Sequence, residues 1–328
     1  MIVRDQGLDE IDEQAWERFI TGSNNGTMFS RPRFYHHHDH PVSVRYIGCY
    51  EGEDLVAGLV GAFNKDDTEF ISPVKASYGG LILPPAAFSD TEKALTVILE
   101  YFKTMDVQQI QLTFPPLLYQ RQLNQDLDFL LRYHGFRESQ VLISSIASTD
   151  EYSGETISRD NWKSIKKARN SGIKLGSLGD FEAFYELLLQ NKSKFNLKPT
   201  HSLSEIKQLF KLFPDEMNLT GAWLDGKLIA ATMTMHCHPR VLLVFYICSL
   251  SKYKRYRPVN LMMHEICLRA KDEGIAAVDF GVSMETDTDN PMDPRRSLIY
   301  FKEHFNTHGF LRIRYEWRRE QLPVSSKR

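Results

Sequence analysis

The sequence predicts a mixed α/β protein built from two similar domains in tandem, and three repeated landmarks support this prediction. A hairpin pattern, in which an acidic turn containing glycine joins two apolar runs, begins at Gly48 and again at Gly221. A helical pattern followed by a short strand recurs at Ile110 and Val278. The tripeptide His-Gly-Phe starts at His134 and again at His308. Three landmarks in one order at nearly constant spacing favour a duplicated domain.

The length of the chain also agrees with two domains, because 328 residues are about twice the commonest domain size. Residues 148–155 read Ser-Thr-Asp-Glu-Tyr-Ser-Gly-Glu, a polar stretch rich in turn-forming residues, as domain linkers are. We therefore predict a first domain at residues 1–150 and a second at residues 151–328.

The composition is that of an ordinary globular protein. With 42% hydrophobic residues, 25% charged residues and a formal net charge of −2, the chain has no excess of positive charge for a polyanion, although a local basic patch could serve one. It contains no run of about 18 apolar residues, and its first residues lack the apolar segment of a secretory signal. We therefore expect a cytoplasmic protein without a membrane span.

Neither the cysteines nor the histidines follow a metal-binding pattern. Cys49, Cys237, Cys248 and Cys267 lie in apolar runs and form no C-x-x-C pair, so we expect buried reduced thiols. In the histidine-rich run 36–40, only the first and last residues have the i, i+4 spacing that a zinc site on a helix uses. We expect the surface of a helix end here, and no metal.

The first half alternates helix and strand patterns after its early hairpin, which indicates a mixed sheet. Helices are predicted at residues 10–21, 91–105 and 122–133, with Ser89 or Asp90 as the cap of the second helix. Strands are predicted at residues 44–50, 55–63, 69–71, 109–114 and 136–147.

The second half repeats this alternation after a basic helix. Helices are predicted at residues 161–169, 181–191, 204–213, 258–272 and 298–305. Strands are predicted at residues 218–223, 228–236, 241–249, 276–280 and 310–317.

The order of these elements in the second half resembles the core of GNAT N-acyltransferases. The segments at 223–230 (WLDGKLIA), 253–260, 279–281 (DFG) and 301–305 (FKEHF) are similar to the tandem-GNAT proteins. That group includes Fem-type peptidoglycan-bridge aminoacyltransferases and Fem-like acetyltransferases of surface-polysaccharide gene clusters. Residues 27–34 and 77–80 resemble the first domain of the same group. The resemblance implies an acyltransferase with its acyl-donor groove in the second domain and a first domain that shapes the acceptor side.

One segment departs from the family pattern. GNAT proteins carry a glycine-rich motif after the long strand, so that backbone N–H groups at a helix start hold the pyrophosphate of coenzyme A. Here residues 252–260 read Lys-Tyr-Lys-Arg-Tyr-Arg-Pro-Val-Asn, without glycine. Basic side chains next to a helix N-terminus suit a phosphate through charge and helix dipole. A solvated basic loop is the alternative, and the departure leaves the acyl donor open between coenzyme A and aminoacyl-tRNA.

The resemblance also implies roles for individual residues. Lys302 occupies the place of a lysine that binds substrate phosphate or stabilises developing charge in the Fem-type group, and Phe301 precedes it as in that group. Tyr256 is a candidate for stabilising the leaving group. Asp279 ends a strand at the crevice where open α/β sheets bind ligands, although it could instead cap the following loop.

Donor and acceptor contacts are carried over in the same way. The resemblance places the backbone of Ile247, Cys248 and Ser249 at the point where the long strand separates from its neighbour, and implies that an N–H there polarises the thioester carbonyl. The donor phosphates are expected near Arg255, Arg257 and Asn260. Acceptor candidates are Tyr253, Glu285, whose carboxylate could accept the amine proton through water, and Lys194, which stands where the group carries an acceptor-binding arginine.

The expected function is therefore N-acylation by acetyl-coenzyme A or another acyl-coenzyme A, with no metal. The expected acceptor is a small-molecule or carrier-linked amine, such as an amino sugar used in envelope polysaccharide synthesis. Two alternatives stay open: Fem-type transfer from aminoacyl-tRNA to a peptidoglycan precursor, and a catalytically inactive tandem-GNAT binding module.

Overall fold

A computed structural model describes residues 1–194, 196–285 and 288–319, which form two compact units. The first unit consists of Met1–His36, His40–Leu142 and residues 311–319, and the second of His37–Asp39 and Ile143–Phe310. These units differ from the linear division at residue 150, because residues 143–150 belong to the second unit and residues 311–319 to the first. The assignment of separate roles to 1–150 and 151–328 stays a prediction.

The first unit is a mixed sheet with helices. Its helices are α1 (Glu13–Gly22), α2 (Pro32–Tyr35), α3 (Phe88–Thr104) and α4 (Asp126–Tyr133). Its strands are β1 (Ile2–Gly7), β2 (Arg45–Glu51), β3 (Asp54–Phe63), β4 (Glu69–Ser72), β5 (Leu81–Ile82), β6 (Gln109–Thr113), the start of β7 (Arg137–Ser148) and most of the last strand, β13 (Thr307–Arg318).

Helix α3 shows how the first unit builds its core. Ala94, Leu95, Ile98 and Phe102 recur every three or four residues and are all buried, so one face of the helix is apolar. This face joins Ile110 and other buried side chains of the sheet in one apolar cluster. The strand order is β1-β2-β3-β4-β6-β13, with β4 and β6 parallel and their other neighbours antiparallel.

The second unit repeats the mixed architecture. Its helices are α5 (Arg159–Asn170), α6 (Phe181–Ser193), α7 (Leu203–Leu212), α8 (Pro258–Asp272) and α9 (Arg296–Glu303). Its strands are the end of β7, then β8 (Lys174–Ser177), β9 (Met217–Leu224), β10 (Lys227–His238), β11 (Val241–Ser249), β12 (Ala277–Val282) and the start of β13. The strand order is β7-β12-β11-β10-β9-β8.

Local chemistry explains why these elements form where they do. The β9–β10 hairpin turns at Asp225 and Gly226, both with positive φ, as a tight two-residue hairpin requires. Helix α7 begins with a capping box, in which Ser202 and Glu205 each accept a backbone N–H from the other residue. Both signals are local in sequence, and both elements were predicted.

Several predicted boundaries were wrong for physical reasons. Helix α4 starts at Asp126 instead of residue 122, because the amides of Gln122 and Asn124 donate to side-chain oxygens of Asn24 and Gln120. Helix α3 starts at Phe88, before its expected caps at Ser89 and Asp90. Strands β1 and β8 were not predicted. Both are the outermost strand of their unit's sheet, where packing on one neighbour leaves a weak sequence pattern.

Candidate active site

The candidate site lies in the second unit, where β11 and β12 separate. The two strands are parallel and pair only from Val241 to Leu243 and from Ala277 to Asp279. Strand β11 continues beyond Leu243 to Ser249, paired with β10 on its other side. Its pairing with β10 shifts between residues 244 and 246, so the intervening Phe245 is an extra residue of a β-bulge. A bulge next to the separation point opens a wedge between β11 and β12.

Backbone amides of β11 are directed into this wedge. The amide of Leu250 donates to the carbonyl of Ile229 on β10. Amides alternate in direction along a strand, so that of Cys248 also faces β10, whereas those of Ile247 and Ser249 face the wedge. Two of the three predicted backbone positions therefore face the opening, and Cys248 faces away from it.

Cys248 and Ser249 of the same segment take part in hydrogen bonds within the protein. The Cys248 thiol donates to the carbonyl of Ala231, and burial raises its pKa to about 12, so it is not a thiolate nucleophile at neutral pH. The carbonyl of Ser249 accepts from Lys194 Nζ at 3.2 Å and from Asn191 Nδ2 at 3.3 Å. Lys194, a predicted acceptor-binding residue, is thus held at the end of β11.

The glycine-free basic segment forms a 3-10 turn, Ser251–Tyr256, that leads directly into α8. Arg257, the residue before the helix, has φ of 60°, a left-handed conformation in which glycine is ordinarily preferred. Pro258 starts the helix without an N–H of its own, and arginine has no acceptor with which to cap the next amides. The first turn of α8 therefore keeps donors for an anion.

The basic and aromatic side chains of this turn pair with one another. Arg255 lies over the ring of Tyr256 at 4.8 Å and donates to its hydroxyl at 2.9 Å. Tyr253 and Tyr256 are half-buried against the core of the second unit, whereas Arg255 and Arg257 are exposed. The tyrosines thus fix the turn to the core and leave positive charge on its surface.

Lys302 is buried in the interior of the second unit, only 5% exposed, which its place on a short surface helix does not reveal. Its ammonium donates to the carbonyl of Gly281 at 2.6 Å and to that of Val282 at 3.1 Å. Burial lowers the pKa of Lys302 to about 8, and the Asp279 carboxylate opposes this shift by favouring the charged form. Lys302 therefore fixes, through these two hydrogen bonds, the backbone at the end of β12, where this strand has separated from β11.

Asp279 is the last residue of β12 that pairs with β11, and it is fully buried. Its Oδ1 atom accepts from the Ser144 hydroxyl at 2.6 Å and from the amide of Gly281 at 2.7 Å. The second bond spans two residues and shapes the chain after the strand, which is the loop-capping role considered as its alternative. Ser144 carries no signal that sequence reasoning could have used, because it comes from β7, far away along the chain.

The side chain of Asn260, a residue predicted near the donor phosphates, joins a hub of hydrogen bonds around the buried Asn161. Its Nδ2 atom donates to Asn161 Oδ1 at 2.8 Å, and Asn161 Nδ2 donates to the carbonyl of His304 at 3.0 Å. Ser158, the N-cap of α5, contacts His304 Nδ1 at 2.5 Å. The hub joins the start of α8 to the end of α9, which carries Lys302. Sequence reasoning did not find Asn161, since its partners are distant along the chain.

The remaining candidates are Phe301 and Glu285. Phe301 packs against the core of the second unit, with its ring 5.4 Å from that of Phe305. Glu285 is exposed, its amide donates to the carbonyl of Asp293, and its carboxylate lies 3.9 Å from Arg295 Nε. No group of three or more histidine, cysteine, aspartate or glutamate side chains in the described ranges could hold a metal.

Comparisons with known proteins identify a family likeness for part of the second unit. A sequence profile of the acetyltransferase (GNAT) domain matches residues 159–289. Residues 159–289 therefore resemble a GNAT domain. No curated protein sequence matches the chain significantly.

Solved structures with this fold extend the likeness to the whole chain. FemX is 13% identical with a TM-score of 0.70, covering 97% of this chain and 98% of FemX. A tandem GNAT protein from the clavulanic acid biosynthesis pathway is 11% identical with a TM-score of 0.55, covering 96% and 98%. The C-terminal domain of a putative lysylphosphatidylglycerol synthetase from Agrobacterium fabrum is 9% identical with a TM-score of 0.61, covering 93% and 91%.

At these identities the structural likeness establishes the fold. The chain has the fold of Fem-like tandem-GNAT proteins, so the predicted fold class and family resemblance are confirmed. The GNAT domain also confirms the prediction of an acyltransferase. Within the described residues, no helix is long and apolar enough to cross a bilayer.

Proposed function

We propose that this acyltransferase moves an acyl group from acyl-coenzyme A to an amine in the wedge between β11 and β12. The observation that carries the proposal is the early separation of these strands, with the bulge at Phe245 and the basic turn into α8 beside it. A narrow opening lined by backbone donors suits a thioester, and the helix start suits its phosphates.

Backbone amides carry the first step of the proposed chemistry. Coenzyme A supplies the thioester and a thiolate leaving group. The amides of Ile247 and Ser249, which face the wedge, are placed to donate to the carbonyl oxygen as negative charge develops there. The exposed guanidinium groups of Arg255 and Arg257 and the first amides of α8 bind the phosphates. In this proposal Asn260 orients the helix start through Asn161.

Side chains beyond the strand carry the remaining roles. In this proposal Tyr256, in the basic turn Ser251–Tyr256, gives a proton to the leaving thiolate. Lys302 supplies positive charge at the end of β12, and Asp279 keeps it protonated. Tyr253 and Phe301 wall the substrate path, and Glu285 accepts the amine proton through water.

A phosphate-bearing acceptor is the proposed partner, such as an amino sugar on a nucleotide or lipid carrier. A cavity of about 700 Å³ adjoins the end of β11 and is lined by Lys194, Lys227 and Lys252 together with Glu186. Three lysines around one opening give it excess positive charge, which favours a phosphorylated amine over a neutral one. The proposal includes a cytoplasmic location, where acyl-coenzyme A is available.

Acetyl-coenzyme A binding tests the donor assignment. We expect calorimetry at low salt to show binding to the wild type and about tenfold weaker binding to an Arg255→Gln/Arg257→Gln double variant, because two charge-assisted phosphate contacts are lost. Raising the salt concentration should narrow this difference by screening. Lys211→Gln, an exposed lysine on α7, is the matched control and should bind like the wild type.

Absence of acetyl-coenzyme A binding at low salt would refute this donor. The glycine-free basic turn and the likeness to FemX favour aminoacyl-tRNA as the second candidate, which the same variants can test by transfer of a labelled aminoacyl group. Binding of either donor without turnover on any phosphorylated amine would favour the inactive binding module.

Lys302 is the residue to change first in a kinetic assay. We expect Lys302→Ala to lower turnover by roughly a hundredfold, since removal of one preorganised charge commonly costs that much. Lys302→Arg should restore only part of it, because the planar guanidinium has a different geometry. Circular dichroism and the acetyl-coenzyme A dissociation constant control for misfolding, and normal turnover of a folded alanine variant would remove Lys302 from the catalytic group.

A further inference from the structure

The peptide group between Tyr246 and Ile247 is held in one orientation beside the wedge. Its carbonyl, which belongs to Tyr246, accepts a hydrogen bond from the Thr232 hydroxyl of β10 at 2.8 Å. The C=O and the N–H of a trans peptide point in opposite directions. Because this carbonyl points toward β10, the Ile247 N–H points away from β10 and toward the wedge. The Thr232 contact thus agrees with the direction deduced from the alternation of amides along β11.

The side chain of Tyr246 is held as well as its carbonyl. Its hydroxyl accepts hydrogen bonds from the amides of Thr200 at 3.1 Å and His201 at 3.3 Å, and it lies 3.1 Å from His201 Nδ1. Burial lowers the pKa of His201 to about 4, so its ring is neutral at neutral pH and accepts the hydroxyl proton at Nδ1. Tyr246 is therefore fixed by β10 at its carbonyl and by the segment before α7 at its hydroxyl.

Two threonines of β10 differ in their hydrogen bonds. Thr232 and Thr234 are both buried, and they lie on the same face of the sheet because side chains alternate along a strand. The Thr232 hydroxyl donates to the peptide group that carries the Ile247 N–H. The Thr234 hydroxyl has no hydrogen-bond partner among the residues that the structure describes. Thr234 therefore matches Thr232 in burial and shape, and differs from it in the contact with β11.

We propose that Thr232 is a positioning residue for acyl transfer, which acts through the peptide group between Tyr246 and Ile247. The proposal rests on the role proposed above for the Ile247 amide. A hydrogen bond to the carbonyl draws electrons from the peptide nitrogen and strengthens its N–H as a donor, by about 10–30%. The same bond resists rotation of the peptide plane, so the N–H stays directed at the place where the thioester oxygen becomes negative. Thr232 does not contact the substrate, because β11 lies between β10 and the wedge.

Steady-state kinetics with acetyl-coenzyme A and glucosamine 6-phosphate tests this role. Thr232→Val should lower kcat about tenfold, less than the loss from removing an oxyanion donor outright. It should leave the dissociation constant of acetyl-coenzyme A unchanged, because the negative charge on the carbonyl oxygen develops only in the transition state. Thr232→Ser keeps the hydroxyl and should retain most of the turnover. Thr234→Val is the matched control and should have wild-type kinetics.

An amide resonance tests the same contact without turnover. In protein labelled with isotopic isoleucine, the Ile247 amide signal is assigned by its disappearance in Ile247→Leu. Thr232→Val should shift this signal, because the Ile247 nitrogen is conjugated with the carbonyl that loses a hydrogen bond. Thr234→Val should leave the signal nearly in place.

Melting temperatures show whether each variant is folded, and Thr232→Ala replaces the valine variant if that variant does not fold. Wild-type kcat in a folded Thr232→Val variant, or an equal loss in Thr234→Val or Thr232→Ser, would overturn the proposal. A fall in acetyl-coenzyme A affinity as large as the fall in kcat would overturn it too, since it would indicate a purely structural role. If the wild type does not turn over these substrates, the amide resonance decides, and a signal that Thr232→Val leaves in place would overturn the positioning role.

Discussion

Strands β4 and β6 of the first unit stay paired along the whole of β4, whereas β11 and β12 of the second unit separate after three residues. Each pair is parallel and is linked through a helix, α3 in one case and α8 in the other. In the first unit the pairing runs from Glu69 with Gln109 to Ser72 with Leu112. The same architecture therefore gives a closed seam in one unit and an open wedge in the other.

In the first unit, residues 77–80 continue the contact between the ends of β4 and β6 beyond the paired residues. The amide of Gly79 donates to the carbonyl of Thr113, and that of Gly80 donates to the Ser72 hydroxyl. Arg312 holds the segment from another side by donating to the carbonyl of Ser77 at 2.6 Å. Residues 77–80, which resemble a family motif, are thus held against the ends of β4 and β6.

Helices α4 and α9, which follow β6 and β12 along the chain, also differ between the two units. The spacing between the two His-Gly-Phe landmarks, from His134 to His308, relates Lys302 to Asp128. Asp128 Oδ1 accepts from the Tyr315 hydroxyl at 2.7 Å, a contact that stabilises the packing of β13. The duplicated scaffold has a buried cation at the open wedge and a structural carboxylate at the closed seam. Separated strands with a buried cation beside them occur in the second unit, whereas the corresponding strands of the first unit stay paired and the corresponding helix carries a structural carboxylate.

The largest expected effect concerns the pH dependence conferred by Lys302. Its pKa is about 8 in the fold and 10.5 ordinarily, so between these values the unfolded chain binds more protons than the folded one. Stability of the wild type relative to Lys302→Met should therefore rise with pH from 8 to 10.5, by up to about 3 kcal/mol. Urea unfolding at several pH values measures this difference, and Lys211→Met is the exposed control.

A flat difference between the wild type and Lys302→Met over that pH range would contradict the buried state of the lysine. It would also remove the difference between the two units that was based on a buried cation at Lys302 and a structural carboxylate at Asp128.

The next effect tests the seal of the first unit. Gly80 has φ of 90°, and a Cβ there would lie within van der Waals overlap of Phe114 Cε1, so Gly80→Ala should destabilise the protein by about 3 kcal/mol. Gly52→Ala is the matched control, because Gly52 also has positive φ but open space around it, and should cost about 1 kcal/mol. Denaturant unfolding measures both.

Neither glycine variant should change the affinity for acetyl-coenzyme A while the protein is folded. A loss of affinity specific to Gly80→Ala would break the comparison, because it would mean that the first unit takes part in donor binding.

The smallest expected effect distinguishes the backbone strain at Arg257 from the positive charge that Arg255 and Arg257 contribute before α8. Arg257 has a left-handed backbone conformation, and Arg257→Gly relieves the strain of that conformation. The free energy of unfolding of this variant should therefore stay within about 1 kcal/mol of the wild-type value. Arg255→Gly, in the preceding 3-10 turn, has no such strain to relieve and should be less stable than Arg257→Gly by about 1 kcal/mol. Both should bind acetyl-coenzyme A a few times more weakly. Equal stabilities would show that Arg257 is not strained.

The sequence allowed prediction of those parts of the molecule whose signals are local. The hairpins at Gly48 and Gly221 were predicted because turn residues and flanking strands are adjacent, and α7 because its capping box joins two residues of one turn. The surroundings of Lys302 could not be predicted, since Gly281 and Val282 lie far from it along the chain and meet it only through the fold. The same holds for Asn161, whose role depends on packing between helices.

Strand β13 has a consequence for how the protein is made. Residues Arg314–Arg318 of β13 pair with Gln109–Thr113 of β6, so the first unit contains a strand that the ribosome synthesises after the second unit. Until then the β6 edge carries unpaired backbone groups, a template for pairing with other chains. The second unit ends at Phe310, before those residues. The first unit therefore begins to be translated before the second unit but is completed after it, and a nascent chain stalled before residue 314 is exposed to aggregation through the unpaired edge of β6.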